Sequence, residues 1–378
     1  MINLRSPYFV IKQTANLTQV DLDISTYVGT LSTDEPAAQY SLTSGAITPA
    51  TGNPYVVFDI ADLARDFIES TFDGTYTSTC VWVAYQITEY ISDVAQTPEA
   101  VVRIEGFDGY RYFEEGVQSN DETYTAPDLL QSNTLIYKSD DGVVRVPILQ
   151  TNITDVYFLY KGEIVDSESI TATRLETTDI IQYVSNTGAS YDTFKARVEA
   201  VSATFEESAL ENVFKRYYTH PCDAVILDDG TTQTKLTVKD IHEQKHTPYK
   251  LTFVNKFGAL QDLWFFKRSR LSISTQKKTY KSNILSIGTY DTTHHQEKIL
   301  DKNGRETLQM NSGWYPEDYN EVFKQLYLSE VVWIDYDGSI LPVNVSDNGM
   351  EFKTSVGDKL INNSISIDFA FNKLNNIR

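Results

Sequence analysis

The chain has 378 residues, with 32 Lys or Arg against 52 Asp or Glu, a formal net charge of −20 and 41% hydrophobic side chains. That length predicts two or three domains, each able to bury a core, and the composition excludes a disordered chain. The acidity argues against gripping a nucleic-acid backbone or an anionic membrane, both of which need clustered Lys and Arg, and two cysteines, Cys80 and Cys222, are too few for a disulfide framework or a four-sulfur metal site.

The first ten residues, Met1 to Val10, lack an apolar core segment, so no signal peptide is expected, and no run of 18 apolar residues predicts a membrane-spanning helix. With 24 Tyr, 18 Phe and 40 Thr, the chain favours pleated, half-buried surfaces. The predicted fold is mainly β with a few helices, a multi-domain β-sandwich architecture of Ig-like or jelly-roll-like type. Three domains are expected: an acidic N-terminal β-sandwich over 1–125, a middle β-rich domain with one helix over 126–245, and a C-terminal α+β domain over 246–378.

In the first domain, strands are expected over 16–27, 55–58, 75–88 and 101–105. Thr79 to Gln86 is almost wholly apolar, as in a strand covered on both faces, which makes Cys80 a core residue. Ile60, Leu63, Phe67 and Ile68 fall at helical spacing and predict a helix ended by Asp73-Gly74. The polar stretch 115–133 is read as a linker. Beyond it, 134–138 and 143–149 are expected to form a hairpin around Asp141-Gly142. A second hairpin turns at Lys161-Gly162, and strand character returns over 225–228 and 234–238 on either side of Asp229-Gly230. Thr204 and Glu207 match a capping box that opens a helix over 204–217. In the last domain, strands are expected over 250–255, 263–266 and 271–275, then a helix after Trp314 with Pro316 in its first turn. A hairpin at Asp337-Gly338 and an alternating strand over 364–371 complete it.

The sharpest motif is His242-Glu243-Gln244-Lys245-His246, which matches the metalloprotease pattern His-Glu-x-x-His. That chemistry needs a helix to stack both imidazoles on one zinc. Pro248 would cut such a helix short, the run before it alternates like a strand, and the inner Gln and Lys are unsuited to packing. His242, Glu243 and His246 are therefore read as a chance match. His220-Pro221-Cys222 and His294-His295 lack further ligands at suitable spacing and are read as a turn and a solvated loop. No nucleophile elbow, phosphate loop or dinucleotide fingerprint is present. No cofactor, metal or catalytic residue is assigned, and no enzymatic activity is expected.

Charge is unevenly distributed. The first 125 residues hold 18 acidic residues against five basic ones, whereas Lys245 to Lys281 holds nine basic residues and one acid, Asp262, interleaved with aromatics. This stretch admits three readings: a stacking groove for single-stranded nucleic acid, a solvated strand face, or a basic face that docks the acidic N-terminal domain of a neighbouring copy head to tail. Lys256, Phe257, Trp264, Phe265, Phe266, Lys267, Arg268 and Arg270 are the candidate interface residues.

Four stretches carry a resemblance: Ile2 to Phe9, Thr247 to Phe266, Leu328 to Ile334, and Asp358 to Arg378. Together they resemble virion structural proteins of tailed bacteriophages that infect Bacteroidetes and marine bacteria, the crAss-like phages above all. In that group the segment opening with His242-Glu243 need not end in a second His. The resemblance implies a non-enzymatic, β-rich subunit of a tail, neck or collar, present in several copies and located in the virion after assembly in the host cytoplasm. The expected partners are copies of itself, in a six- or twelve-fold ring, and other tail or portal-proximal proteins. An acidic lumen would let DNA pass without specific binding. The alternative is a receptor- or glycan-binding module of a fibre or spike.

Overall fold

The computed structural model describes residues 2–27, 35–74, 80–122, 127, 129–138, 144–149, 155–169, 180–185, 223–241, 243, 245–347, 349–351 and 359–374. It is mainly β, with several sheets in a multi-domain β-sandwich architecture. Two compact units emerge. The first comprises Met1–His242, Thr252–Leu263 and Glu321–Glu330, and the second comprises Glu243–Leu251, Trp264–Asn320 and Val331–Arg378.

The first unit is built around a sheet in the order β1 (Ile2–Asn3), β8 (Val102–Phe107), β6 (Cys80–Ile91), β3 (Leu17–Tyr27) and β4 (Tyr40–Gly45), with β7 (Val94–Ala95) beside β6. A smaller sheet, β5 (Tyr55–Asp59), β2 (Tyr8–Gln13) and β9 (Gln118–Ser119), supplies the other side of its core. Alternation explains the packing. Val20, Leu22 and Ile24 of β3 face inward with Val81, Val83 and Tyr85 of β6, and meet Tyr8, Val10, Val56 and Phe58. Asp21 and Asp23 face the other way, where Thr43 and Ser41 of β4 donate to them.

A further sheet in this unit runs β10 (Leu135–Lys138), β16 (Gln233–Asp240), β15 (Ala224–Asp228), β12 (Asp155–Tyr160) and β13 (Glu163–Ser169), and β11 (Val144–Leu149) pairs with β14 (Ile180–Ser185). The hairpin predicted at Lys161-Gly162 is present as β12–β13, and the strands expected on either side of Asp229-Gly230 pair as β15–β16. The hairpin predicted over 134–149 is not: β10 lies parallel to β16 and β11 antiparallel to β14. Parallel pairing with β16 supplies β10 with a buried position that a local hairpin would not, since Leu135 and Ile136 are buried.

The described part of 115–133 is not a linker either. Gln118 is buried, and its Nε2 donates to the carbonyls of Asn3 (2.8 Å) and Ser6 (3.0 Å) while its Oε1 accepts from Asn3 N–H (3.0 Å). Leu130, Gln131 and Asn133 are buried as well. Polar composition here reflects an interior hydrogen-bond network rather than solvation. Its hub is Asn255, fully buried, which donates to Leu130 O and Gln261 Oε1 and accepts from Phe257 and Ala259 N–H. Gln261 extends the network to Asn133, and Gln325 donates to Ser132 Oγ.

Two helices are seen among the described residues, α1 (Ala61–Arg65) and α2 (Asn320–Leu328), with 3-10 turns at Phe113–Glu115 and Glu317–Tyr319. α1 is shorter than its spacing predicts. Phe67 and Ile68 N–H bond three residues back, which tightens and ends the helix, and Phe67 is exposed. α2 buries Val322, Phe323 and Leu326 as predicted, but starts later. Trp314 and Pro316 still belong to a strand, and Pro316 caps the 3-10 turn instead of the helix. The helix predicted over 204–217, the start of the strand over 75–88, the turn at 139–143, His220 and Cys222 lie outside the described residues.

The strands of the second unit run in the order β21 (Val332–Tyr336), β22 (Ser339–Val345), β23 (Leu360–Phe369), β20 (Glu297–Pro316) and β19 (Ser269–Lys281), while Thr252–Val254 of β17 (Tyr249–Val254) and Leu260–Leu263 of β18 (Leu260–Phe265) belong to the first unit. The predicted hairpin at Asp337-Gly338 is β21–β22, and β23 buries Ile361, Ile365, Ile367 and Phe369 on one face. No helix among the described residues is long and apolar enough to cross a membrane.

Candidate assembly surface

β19 and β20 form a ladder far longer than the strand over 271–275 that the sequence suggested. It runs without interruption from Ser269↔Met310 to Lys278↔Asp301, is broken by one bulge, and continues to Lys281↔Glu297. β23 supports β20 only as far as Thr307, and Lys373 N–H reaches Gly304 O just beyond. Outward of Gly304 the structure is a two-stranded ribbon carrying a tip over 282–296. From Thr275 to Lys281 the ribbon extends ~23 Å at 3.3 Å per residue. Its local cause is readable. β19 is rich in Ser, Thr and Lys, and Ile273 lies over Gly304, where a Cβ would sit 3.1 Å from Ile273 Cδ1.

This ribbon is exposed on both faces, and large apolar side chains are interspersed among its charged ones. Of the 21 large hydrophobic side chains exposed among the described residues, eight fall within 271–300, including Ile273, Tyr280, Leu285, Ile287, Ile299 and Leu300. An isolated two-stranded hairpin is marginal in water, and clustered exposed apolar groups mark interaction surfaces.

The eight candidate interface residues are divided between the two units. Lys256 and Phe257 belong to the first unit, where Lys256 pairs with Glu115 and lies 4.6 Å from the centre of the Tyr112 ring. Burial pushes the Glu115 carboxyl up, but the Lys256 ammonium and the Tyr112 N–H outweigh it and hold the group below the usual carboxylate range. In the second unit Phe265 is fully buried and is core, not surface. Phe266 is half-buried against Tyr315 and over Gly313, and the half-buried Trp264 accepts from Tyr315 Oη through its carbonyl (2.7 Å). Lys267, Arg268 and Arg270 come together along a groove of about 520 Å³, whose other walls include His246, Gln309, Asn311, Trp314 and Asn362. Arg268 and Arg270 are exposed.

Glu243 of the His-Glu-x-x-His match accepts from Lys267 Nζ at 2.6 Å and from Lys245 N–H at 2.9 Å. The Lys267 hydrogen bond, more than any other cause, pulls its pKa down to about 2. Lys245 and His246 occupy a bend ahead of β17, His242 lies outside the described residues, and His246 faces the groove. His294 and His295 are exposed on the arm tip, with His294 Nδ1 3.5 Å from Asp291. Among the described residues no group of three His, Cys, Asp or Glu is placed to hold a metal ion.

Sequence reasoning missed the arm. The signal was present as alternation through 271–275 followed by further β-compatible residues to Lys281, but a short strand accounts for 271–275 equally well. Comparison with protein-family models matches no family, and comparison with curated proteins finds no relative.

Proposed function

We propose that the chain is a non-enzymatic structural subunit of a bacteriophage tail, neck or collar, which assembles with copies of itself into a closed ring around the DNA channel. The observation that carries the assembly part is the β19–β20 arm, whose apolar side chains have no cover within the described residues. The virion setting draws on the resemblance of Ile2 to Phe9, Thr247 to Phe266, Leu328 to Ile334 and Asp358 to Arg378 to phage structural proteins. The acidity is a functional asset in this setting: a lumen lined with carboxylates repels DNA and lets it slide. Light scattering and electron imaging of the purified chain test this reading. A ring of six or twelve copies is expected, and a species that stays monomeric at high concentration and is absent from particles would overturn it.

One observation favours a second reading, glycan or receptor binding. Trp314 is exposed beside Arg268, Arg270, Gln309, Asn311 and Asn362, a set able to stack on a sugar ring and hydrogen-bond its hydroxyls. A glycan array decides it: selective binding that is lost in Trp314→Ala supports this role, and no binding to any glycan removes it.

A further inference from the structure

The outer part of the β19–β20 arm holds a conflict of charge. Lys277 and Lys302 stand directly opposite each other in the ladder, so their side chains share one face. Like charges so placed are destabilising, and neither ammonium has an ion-pair partner among the described residues. Ile299, opposite Thr279, follows on that face just past the bulge and is 53% exposed. The arm as a whole, residues 269–311, holds seven basic and four acidic residues in a chain whose net charge is −20.

Carboxylates set against the two ammoniums, beside an apolar group that covers Ile299, would resolve both the charge conflict and the exposure. Two arms repel each other through their common positive surplus, so a second arm is the wrong partner. The first unit holds a segment of the required chemistry at α1. Asp62, Asp66 and Glu69 are exposed and make no ion pair among the described residues, and Phe67 between them is 41% exposed. Arg65, the one base over 62–69, already pairs with Asp108 and Glu330. The spacing matches as well. Asp62 and Asp66 are one helical turn apart, ~6 Å, and opposed strand positions lie ~5 Å apart, so two carboxylates can meet two ammoniums.

We propose that the arm of one copy docks on the α1 segment of a second copy, with Asp62 and Asp66 facing Lys277 and Lys302 and Phe67 covering Ile299. This rests on the assembly reading above and specifies its contact. Opposed charge selects the partner and speeds the encounter, and burial of the aromatic ring against the isoleucine holds the contact. The two surfaces differ and each copy has one of each, so the contact is head-to-tail. It propagates from copy to copy and closes into a ring when the rotation permits.

Charge reversal on each side tests the contact. Lys302→Glu turns the like-charge pair into an attractive one, so it is expected to leave urea unfolding unchanged or slightly improved while weakening assembly by about tenfold or more, read by light scattering. Assembly equal to that of the wild type overturns the proposal. A second variant, Asp62→Lys with Asp66→Lys, is expected to lose assembly to the same extent. Mixed in equal amounts with a third variant, Lys277→Glu with Lys302→Glu, it is expected to assemble again in alternating order. A mixture that stays apart while the wild type assembles overturns the contact. Zero-length carbodiimide cross-linking of mixed ¹⁴N and ¹⁵N wild-type chains reads the same contact without any substitution. Mixed-isotope links from Lys277 or Lys302 to Asp62, Asp66 or Glu69 are expected in assembled material, and their absence, or links confined to single chains, overturns the contact. A wild type that never assembles is a separate result, which removes the assembly reading and the contact with it.

Discussion

The β3–β6 core of the first unit and the β19–β20 arm of the second are built from the same kinds of residue, yet end in opposite states. Leu22, Ile24 and Val83 are completely buried, whereas Ile287 on the arm tip is completely exposed. Both segments follow strand periodicity and both form long antiparallel ladders. What differs is a second layer. β3 has β2 and β5 across from it, and the outer arm has nothing among the described residues. Periodicity thus specifies a strand but not whether its apolar side chains are satisfied within the chain.

Substitutions can break or sharpen this contrast. The largest effect is expected from Leu22→Ala, which opens a cavity in a closed core and should cost about 3–5 kcal/mol in urea unfolding. A loss below about 1 kcal/mol would show that this core is not the stabilising element it seems by burial. Gly313→Ala comes next. Gly313 has φ of +79° and its absent Cβ would lie 2.2 Å from the Phe266 ring, so about 2–4 kcal/mol is expected from backbone strain and overpacking together. Full retention of stability would mean that the ring moves aside.

A smaller effect concerns pH. Glu243 has a folded pKa of about 2, below the ~4.3 of an unfolded Glu, so its contribution is present above about pH 4.3 and is lost as pH falls toward 2. Glu243→Gln should flatten the acid limb of the stability curve in that window and leave pH 7 and above parallel to the wild type. An unchanged acid limb would show that the Lys267 pair is not held in solution. The smallest effect on folding is expected from Ile287→Ser, within about 0.5 kcal/mol for the unassembled chain, because that side chain leaves no contact behind. Its assembly, measured by light scattering, should nevertheless weaken, which is the sharpest statement of the contrast.

The fold class was legible because alternation and turn chemistry act locally. Lys161-Gly162, Asp229-Gly230 and Asp337-Gly338 each mark a real hairpin, with Lys161 and Asp337 taking positive φ beside their glycines. Errors arose where a distant segment decided the outcome. β10 looks like the first arm of a hairpin until β16, about 100 residues later, claims it. Gln118 and Asn133 look solvated until the carbonyls they serve are known. The candidate surface was half legible: Arg268 and Arg270 are exposed, but Phe265 in the same basic stretch points into the core, because strand side chains alternate between faces. The arm was invisible because length of pairing is a property of two strands, not one.

Asn255 and Gln325 have a consequence for the order in which the protein is made. Both complete the first unit, yet they emerge from the ribosome long after β1 to β9. At typical synthesis rates of ~5–20 residues per second, the interval between residues 133 and 325 is about 10–40 s. For that time Ser132 Oγ lacks its Gln325 donor, and for the first part of it Asn133 Oδ1 lacks its Gln261 donor. Folding of the first unit is thus coupled to near-complete translation, and a truncated chain ending before Gln325 leaves its interior polar groups unpaired.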